Sequence, residues 1–183
     1  MDNKALDQFL GDVQKRAYQM ARIAVGCEQD ALDIVQDAMI ALVKNYADRE
    51  PSQWQGLFFK VLQNRIYDQH RRNTVKQKWF GWLGLGKVDD NQDVDQSVDL
   101  IQQAVDQKTP TPEMQLQQGQ ATRKLIAAVE QLPIRQQQAF MLRLWEGMSV
   151  SETAAAMSVS EGSVKTHYSR AVTSLKQQLE AYW

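Results

Sequence analysis

Residues Ser149–Leu175, SVSETAAAMSVSEGSVKTHYSRAVTSL, spell two short helices joined by a tight turn. The first has a start signal with a mechanism. Ser149 caps free backbone N–H groups, and Glu152, three residues on, reaches back to the cap, the reciprocal arrangement of a capping box. Val150, Thr153, Ala154 and Met157 then line one face. A second start stands at Ser160, followed by Val164, Ala171, Leu175 and Leu179 at helical spacing, which predicts one buried stripe. Ala154, Ala155 and Ala156 permit close approach of the two helices, with Val164 as the plug between them. Lys165, Thr166, Ser169 and Arg170 fall on the free side. This is the geometry that places a helix in the DNA major groove, so a helix-turn-helix is expected. The bland alternative is a helical hairpin with a solvated polar face, and the doubled capping signals and short turn weigh against it. Ser158 stands where such turns often carry Gly, so the turn has to avoid positive φ or bear its strain.

Outward from this stretch, composition sets bounds. With 183 residues and 43% hydrophobic content the chain buries a sizeable core, in one domain or two small ones. The formal net charge of −1 does not announce a nucleic-acid binder, but its distribution is uneven. Glu28, Asp30, Asp33 and Asp37 form a run with no base, a net −4, whereas Lys60, Arg65, Arg71, Arg72, Lys76 and Lys78 stand against Asp68 alone, a net +5. Such segregation fits one basic partner surface and one anionic partner, and separate solvated faces would look similar. Cys27 is the only cysteine, so no intramolecular disulfide forms. No signal-peptide core and no membrane-length apolar run appears, which leads to the expectation of a cytoplasmic protein without membrane insertion.

Apolar residues recur at three and four from Leu6 to Ala24 and from Ala31 to Leu42, Pro51 and Ser52 mark a break, and the helical pattern resumes from Trp54 to Arg72. From Val75 to Gln118 the character changes to a Trp/Gly patch, an Asp- and Gln-rich run and Thr109-Pro110-Thr111-Pro112. That composition reads as a linker with a random-coil reach of roughly 35 Å. Gln120–Gln131 and Gln136–Trp145 read as helices. The fold class predicted is all-α: two small helical domains joined by a flexible linker, the C-terminal one with the helix-turn-helix. The boundaries are 1–75, 76–118 and 119–183.

Asp30, Asp33 and Asp37 share one face of a helix beside Ile34, Val35 and Ala38, a mixture suited to docking on a basic partner helix, although a solvated acidic face is the commoner outcome. In Trp54–Arg72, WQGLFFKVLQNRIYDQHRR, aromatics stand beside cations, the chemistry of single-stranded nucleic-acid capture; Phe58, Phe59 and Tyr67 equally suit a core. Gly81 to Lys87 has the spacing of a phosphate-cradling loop, but Val88 stands where a magnesium-binding hydroxyl is needed and no strand precedes it. His70 and His167 have no ligand spacing with Cys27, so no metal, cofactor or catalytic constellation is expected.

Together, DALDIVQDAMIALVKNY, WQGLFFKVLQNRIYDQHRR and the stretch from Leu132 to Leu175 resemble the extracytoplasmic-function (ECF) group of bacterial RNA polymerase sigma factors. The resemblance implies sigma domain 2 over 1–75, sigma domain 4 over 119–183, and no middle domain. It implies that Asp30, Asp33, Val35, Gln36 and Asp37 dock on the β′ coiled coil of polymerase core, whose β and β′ subunits are the expected partners. Lys60, Asn64, Arg65, Arg71 and Arg72 would engage and open the minus-10 element of promoter DNA, and Lys165, Thr166, Ser169 and Arg170 would read the minus-35 element. An anti-sigma factor is a further candidate partner. The family usually has Trp where this chain has Leu57, with Trp54 three residues earlier. The rivals are a LuxR-like regulator that binds duplex DNA without core, which SEGSVKTH also resembles, and a helical adaptor that binds only proteins. The opposite charges further suggest that the free halves fold on each other and mask both DNA surfaces.

Overall fold

The computed structural model describes the backbone of residues 3–82 and 112–180 and the side chains of residues 4–75 and 120–180. The described residues form helices and turns, with no strand among them. The N-terminal half comprises α1 (Asn3–Val25), α2 (Glu28–Tyr46) and α3 (Pro51–Trp82), each packed against the other two. Gly26 ends α1 in the left-handed conformation, φ 73°, with its N–H bonded to the Arg22 carbonyl at 2.9 Å, a conformation that a side chain would strain. Pro51 opens α3, where a missing N–H is no loss. The core of this half is aromatic. Phe58 meets Phe59 and Phe9 edge-on, with ring centroids 5.4 and 6.1 Å apart, and Phe9 tilts against Trp54 at 6.0 Å. The buried Trp54 donates from Nε1 to the Tyr46 carbonyl at 3.2 Å, tying α3 to the end of α2.

The C-terminal half comprises α4 (Pro112–Glu130), α5 (Ile134–Phe140), a π-helical turn (Met141–Trp145), α6 (Val150–Met157) and α7 (Glu161–Glu180). Helix α7 is the hub, packed by α4, α5 and α6. Both capping signals are present. Glu152 N–H donates to Ser149 Oγ at 3.2 Å and Ser149 N–H to Glu152 Oε2 at 2.7 Å, while Ser163 N–H donates to Ser160 Oγ at 3.1 Å. Thr153, Ala154 and Met157 are buried on α6, and Val164, Ala171 and Leu175 on α7. Ser158 takes φ 54°, ψ 46°, so the turn bears the left-handed strain that glycine would avoid, of the order of 1 kcal/mol.

Two expectations are corrected here. Helix α3 continues to Trp82 and α4 starts at Pro112, so regular helix enters the 76–118 segment from both ends. Lys76, Gln77 and Lys78 are good helix formers that extend α3, and Pro112 suits a first helical position. The rest of that segment, including Leu83 to Lys87 of the phosphate-loop look-alike, lies outside the described residues. The helix read over Gln136–Trp145 is α-helical only to Phe140 and then widens into the π turn.

The halves also pack on one another. Helix α3 lies against α6 and touches α5, and α1 touches α4. Much of this interface is polar. Arg16 of α1 pairs with Glu146 at 3.0 Å, and Gln138 Nε2 donates to the Gln63 carbonyl at 3.1 Å. Gln63 and Gln138 are both fully buried.

Candidate functional site

Three exposed polar surfaces emerge from this frame. On α2, Asp30 is half-buried, and Asp33, Gln36 and Asp37 are exposed. Val35 is only 4% exposed and belongs to the core with Ala31, Ile34, Ala38 and Leu42. It therefore supports this face from beneath, whereas its reading as a docking contact expects an exposed side chain. The acidic side chains are also less free than their spacing suggests. They border a groove whose opposite wall carries Arg65, Gln69 and Arg72 of α3. Gln69 donates to Asp30 at 2.8 Å, Arg65 lies 3.5 Å from Asp37, and Gln29 donates to Asp33 at 3.2 Å. The acidic and basic runs thus face each other inside one half. Leu32, Ile40 and Val43 are exposed on the same helix, adding an apolar margin to the acidic face.

On α3, Lys60, Asn64, Arg65, Arg71 and Arg72 are all exposed, while Phe58 and Phe59 are completely buried. Arg65, turned toward Asp37, stands apart from Lys60, Asn64 and Arg71, which line one side of the helix. Trp54 is core, so its ring is not open to a ligand on this face. Tyr67 is half-buried, and the Arg135 guanidinium covers its ring at 3.8 Å from the centroid.

On α7, Lys165, Thr166, Ser169 and Arg170 are exposed together near the start of the helix, held there by the buried Val164 behind them and by the Ser160 cap. Thr166 Oγ1 donates to the Gly162 carbonyl at 3.0 Å, a bond local to the helix. The pKa of His167, between them, is lowered from the usual histidine value by burial and by the nearby charges of Arg135 and Arg170. The expectation that closed halves mask both DNA surfaces is corrected on this side, since packing of α6 on α3 leaves the α7 face open.

Sequence reasoning missed the residues that join the halves. The Glu146 carboxyl side chain is 1% exposed, and its pKa is pushed up by burial; the neighbouring charge and hydrogen bond of Arg16, and Gln55, only partly oppose this. A glutamate just before Gly147 signals only a helix end in the sequence. Among the described residues no group of His, Cys, Asp and Glu has the proximity to hold a metal, and no helix is long and apolar enough to cross a membrane.

Known proteins share both halves. A family model described as Sigma-70 region 2 matches residues 6–75, and one described as Sigma-70, region 4 matches residues 122–175. The chain is 30% identical over 176 residues to an RNA polymerase sigma-E factor of Streptomyces avermitilis, covering 96% of this chain and 85% of that one. It is 27% identical over 165 residues to the ECF RNA polymerase sigma factor SigX of Bacillus subtilis, covering 89% and 77%. Its fold is similar to that of the sigma factor RpoE in complex with the anti-sigma factor NepR from Bartonella quintana, with TM-score 0.64 and 20% identity over 95% of this chain and 96% of that one. It is similar also to CnrH in complex with the cytosolic domain of CnrY, with TM-score 0.60 and 19% identity over 98% and 90%.

Proposed function

The chain belongs to the sigma-70 family of RNA polymerase sigma factors, in its ECF group, and from that premise we propose how its residues divide the work of initiation. It binds polymerase core and directs promoter-specific transcription. One observation carries the reading: matches to region 2 and region 4 lie in order on a single chain, and a LuxR-like regulator or an adaptor has no use for the first.

Residues 1–75 act as domain 2 and 119–183 as domain 4, joined through 76–118. Asp30, Asp33, Gln36 and Asp37 dock on the β′ coiled coil, a role supported by their position along one side of α2 beside exposed apolar residues. Lys60, Asn64, Arg71 and Arg72 take the opened minus-10 strand. A protein that holds unpaired bases favours the melted strand over the duplex, so binding energy drives opening without ATP. Arg65 serves instead to set the acidic face through Asp37. Lys165, Thr166, Ser169 and Arg170 meet base edges and phosphates of the minus-35 element. Core polymerase supplies the chemistry of nucleotide addition; this chain supplies binding and position, in the cytoplasm where core works. Both structural relatives are held by a protein partner, and an anti-sigma factor is the regulator this reading assigns.

Replacing Arg170 with Ala tests the assignment of α7. We expect minus-35-dependent run-off transcription to fall about tenfold, the scale of one base-reading hydrogen-bond pair removed, with association to core unchanged. Undiminished transcription from such promoters would overturn the assignment.

A further inference from the structure

Tyr67 is absent from the DNA-facing set above, yet it shares a face with three of its members. Lys60, Asn64, Tyr67 and Arg71 recur at i, i+4, i+7 and i+11, one stripe along roughly 16 Å of α3. Its ring is the one aromatic surface on that stripe, and the other half of the molecule covers it. Arg135 lays its guanidinium 3.8 Å from the Tyr67 ring centroid while donating from Nη1 to the Met157 carbonyl at 3.1 Å and to Gln138 Oε1 at 3.2 Å. The guanidinium plane is therefore oriented by the C-terminal half before it meets the ring.

A flat cation and a nucleobase stack on an aromatic ring in the same way and at the same distance, so one ring face serves only one of them. The junction between halves is also built to part. The Glu146 carboxyl group is buried against Arg16 of the other half, and Gln138, itself fully buried, donates to the Gln63 backbone carbonyl across the junction. These polar groups regain water when the halves separate, which offsets the cost of exposing apolar side chains there. Separation is required in any case, because elements centred near positions −10 and −35 lie about 85 Å apart along B-form DNA, beyond the reach of two halves packed side chain to side chain.

We propose that Tyr67 is a base-stacking platform for the opened promoter strand, and that Arg135 caps it while the halves are closed, so that the minus-10 face is available only after the two halves part. This rests on the assignment of Lys60, Asn64 and Arg71 to the opened strand.

The test uses the full chain, with small-angle scattering for closure and anisotropy of a dye-labelled single-stranded DNA carrying a minus-10 sequence for binding. Unaltered protein is expected to be compact, with a radius of gyration of about 16 Å, and to bind weakly. Arg135→Gln should bind about fivefold tighter. Adding Tyr67→Leu should remove that gain and lower affinity about tenfold, whereas Tyr67→Phe, which keeps the ring, should retain it. Because Arg135 also bonds within its own half, Arg16→Gln opens the interface independently, and it should expand the chain and tighten binding likewise. An extended unaltered chain, open variants that bind no tighter, or Tyr67→Leu that binds as well as its parent would each overturn the proposal. Lys60→Ala with Asn64→Ala reports on the underlying reading alone. If that pair leaves oligonucleotide binding intact, the strand assignment fails whatever Arg135 does.

Discussion

Helices α3 and α7 both present basic and polar faces, and the molecule treats them differently. The α7 face stands open, its side chains linked only locally, and among the described residues no carboxylate pairs with Lys165 or Arg170. The α3 face is engaged on both flanks, by Asp37 and Asp30 of α2 through Arg65 and Gln69, and by Arg135 through Tyr67. A helix that reads duplex DNA gains from being preformed. One that holds an opened strand, the role proposed for α3, would bind single-stranded nucleic acid indiscriminately if left bare, and internal partners of this kind would restrain it.

The sharpest way to break the comparison is to remove what lies under α3. Phe58 is fully buried against Phe9 and Phe59, and Phe58→Ala should cost about 3–5 kcal/mol, read as a lowered calorimetric midpoint, with the α3 face lost as α3 loosens. An effect under about 1 kcal/mol would mean that the aromatic cluster does not support that face.

The next effect concerns the junction between the halves. Burial raises the pKa of Glu146 above the ordinary glutamate value of 4.5, with Arg16 and Gln55 opposing it. A group protonated more readily when closed favours closure most fully below the ordinary value, and that contribution is lost as pH rises through the raised one. Acidification from neutral toward 4.5 should therefore compact the chain in scattering, and Glu146→Gln should flatten the dependence. A profile that expands on acidification in the unaltered chain would contradict this.

The smallest effect falls on the open side. Ser149→Ala removes one half of the capping box and should cost about 1 kcal/mol in thermal unfolding, with core binding unaffected. The Glu152 pKa is lowered chiefly by its hydrogen bonds with Ser149, so the cap is fully formed above the ordinary glutamate value and fades as pH falls through the lowered one.

The same contrast explains what is legible in the sequence. Ser149, Glu152, Ser160 and Val164 act on neighbours within a few residues, so their spacing alone yields the caps, the turn and the exposed side of α7. At Ser158 the sequence poses the choice between avoiding positive φ and bearing it, and the structure shows that the turn bears it. Val35 is misleading because its acidic neighbours draw attention to the outer face, although its spacing from Ala31, Ala38 and Leu42 lies on the inner stripe. The closed arrangement is not legible in detail. Arg16 and Glu146 are 130 residues apart and Gln63 and Gln138 are 75 apart, and nothing in a glutamine's local pattern tells whether its amide will be buried. The opposite charges do suggest that the halves meet, but those charges pair within the N-terminal half, and the junction between halves uses other residues.

The most direct test of the central claim is co-elution with bacterial polymerase core. Asp33 and Gln36 are the cleanest positions for it, since Asp37 lies 3.5 Å from Arg65, so a variant with Asp33→Lys and Gln36→Lys cancels the negative charge of the proposed docking face with least disturbance. The account predicts that the unaltered chain co-elutes with core and supports promoter-specific transcription, and that the variant does neither while remaining folded. A folded chain that binds duplex DNA but never associates with core would contradict it.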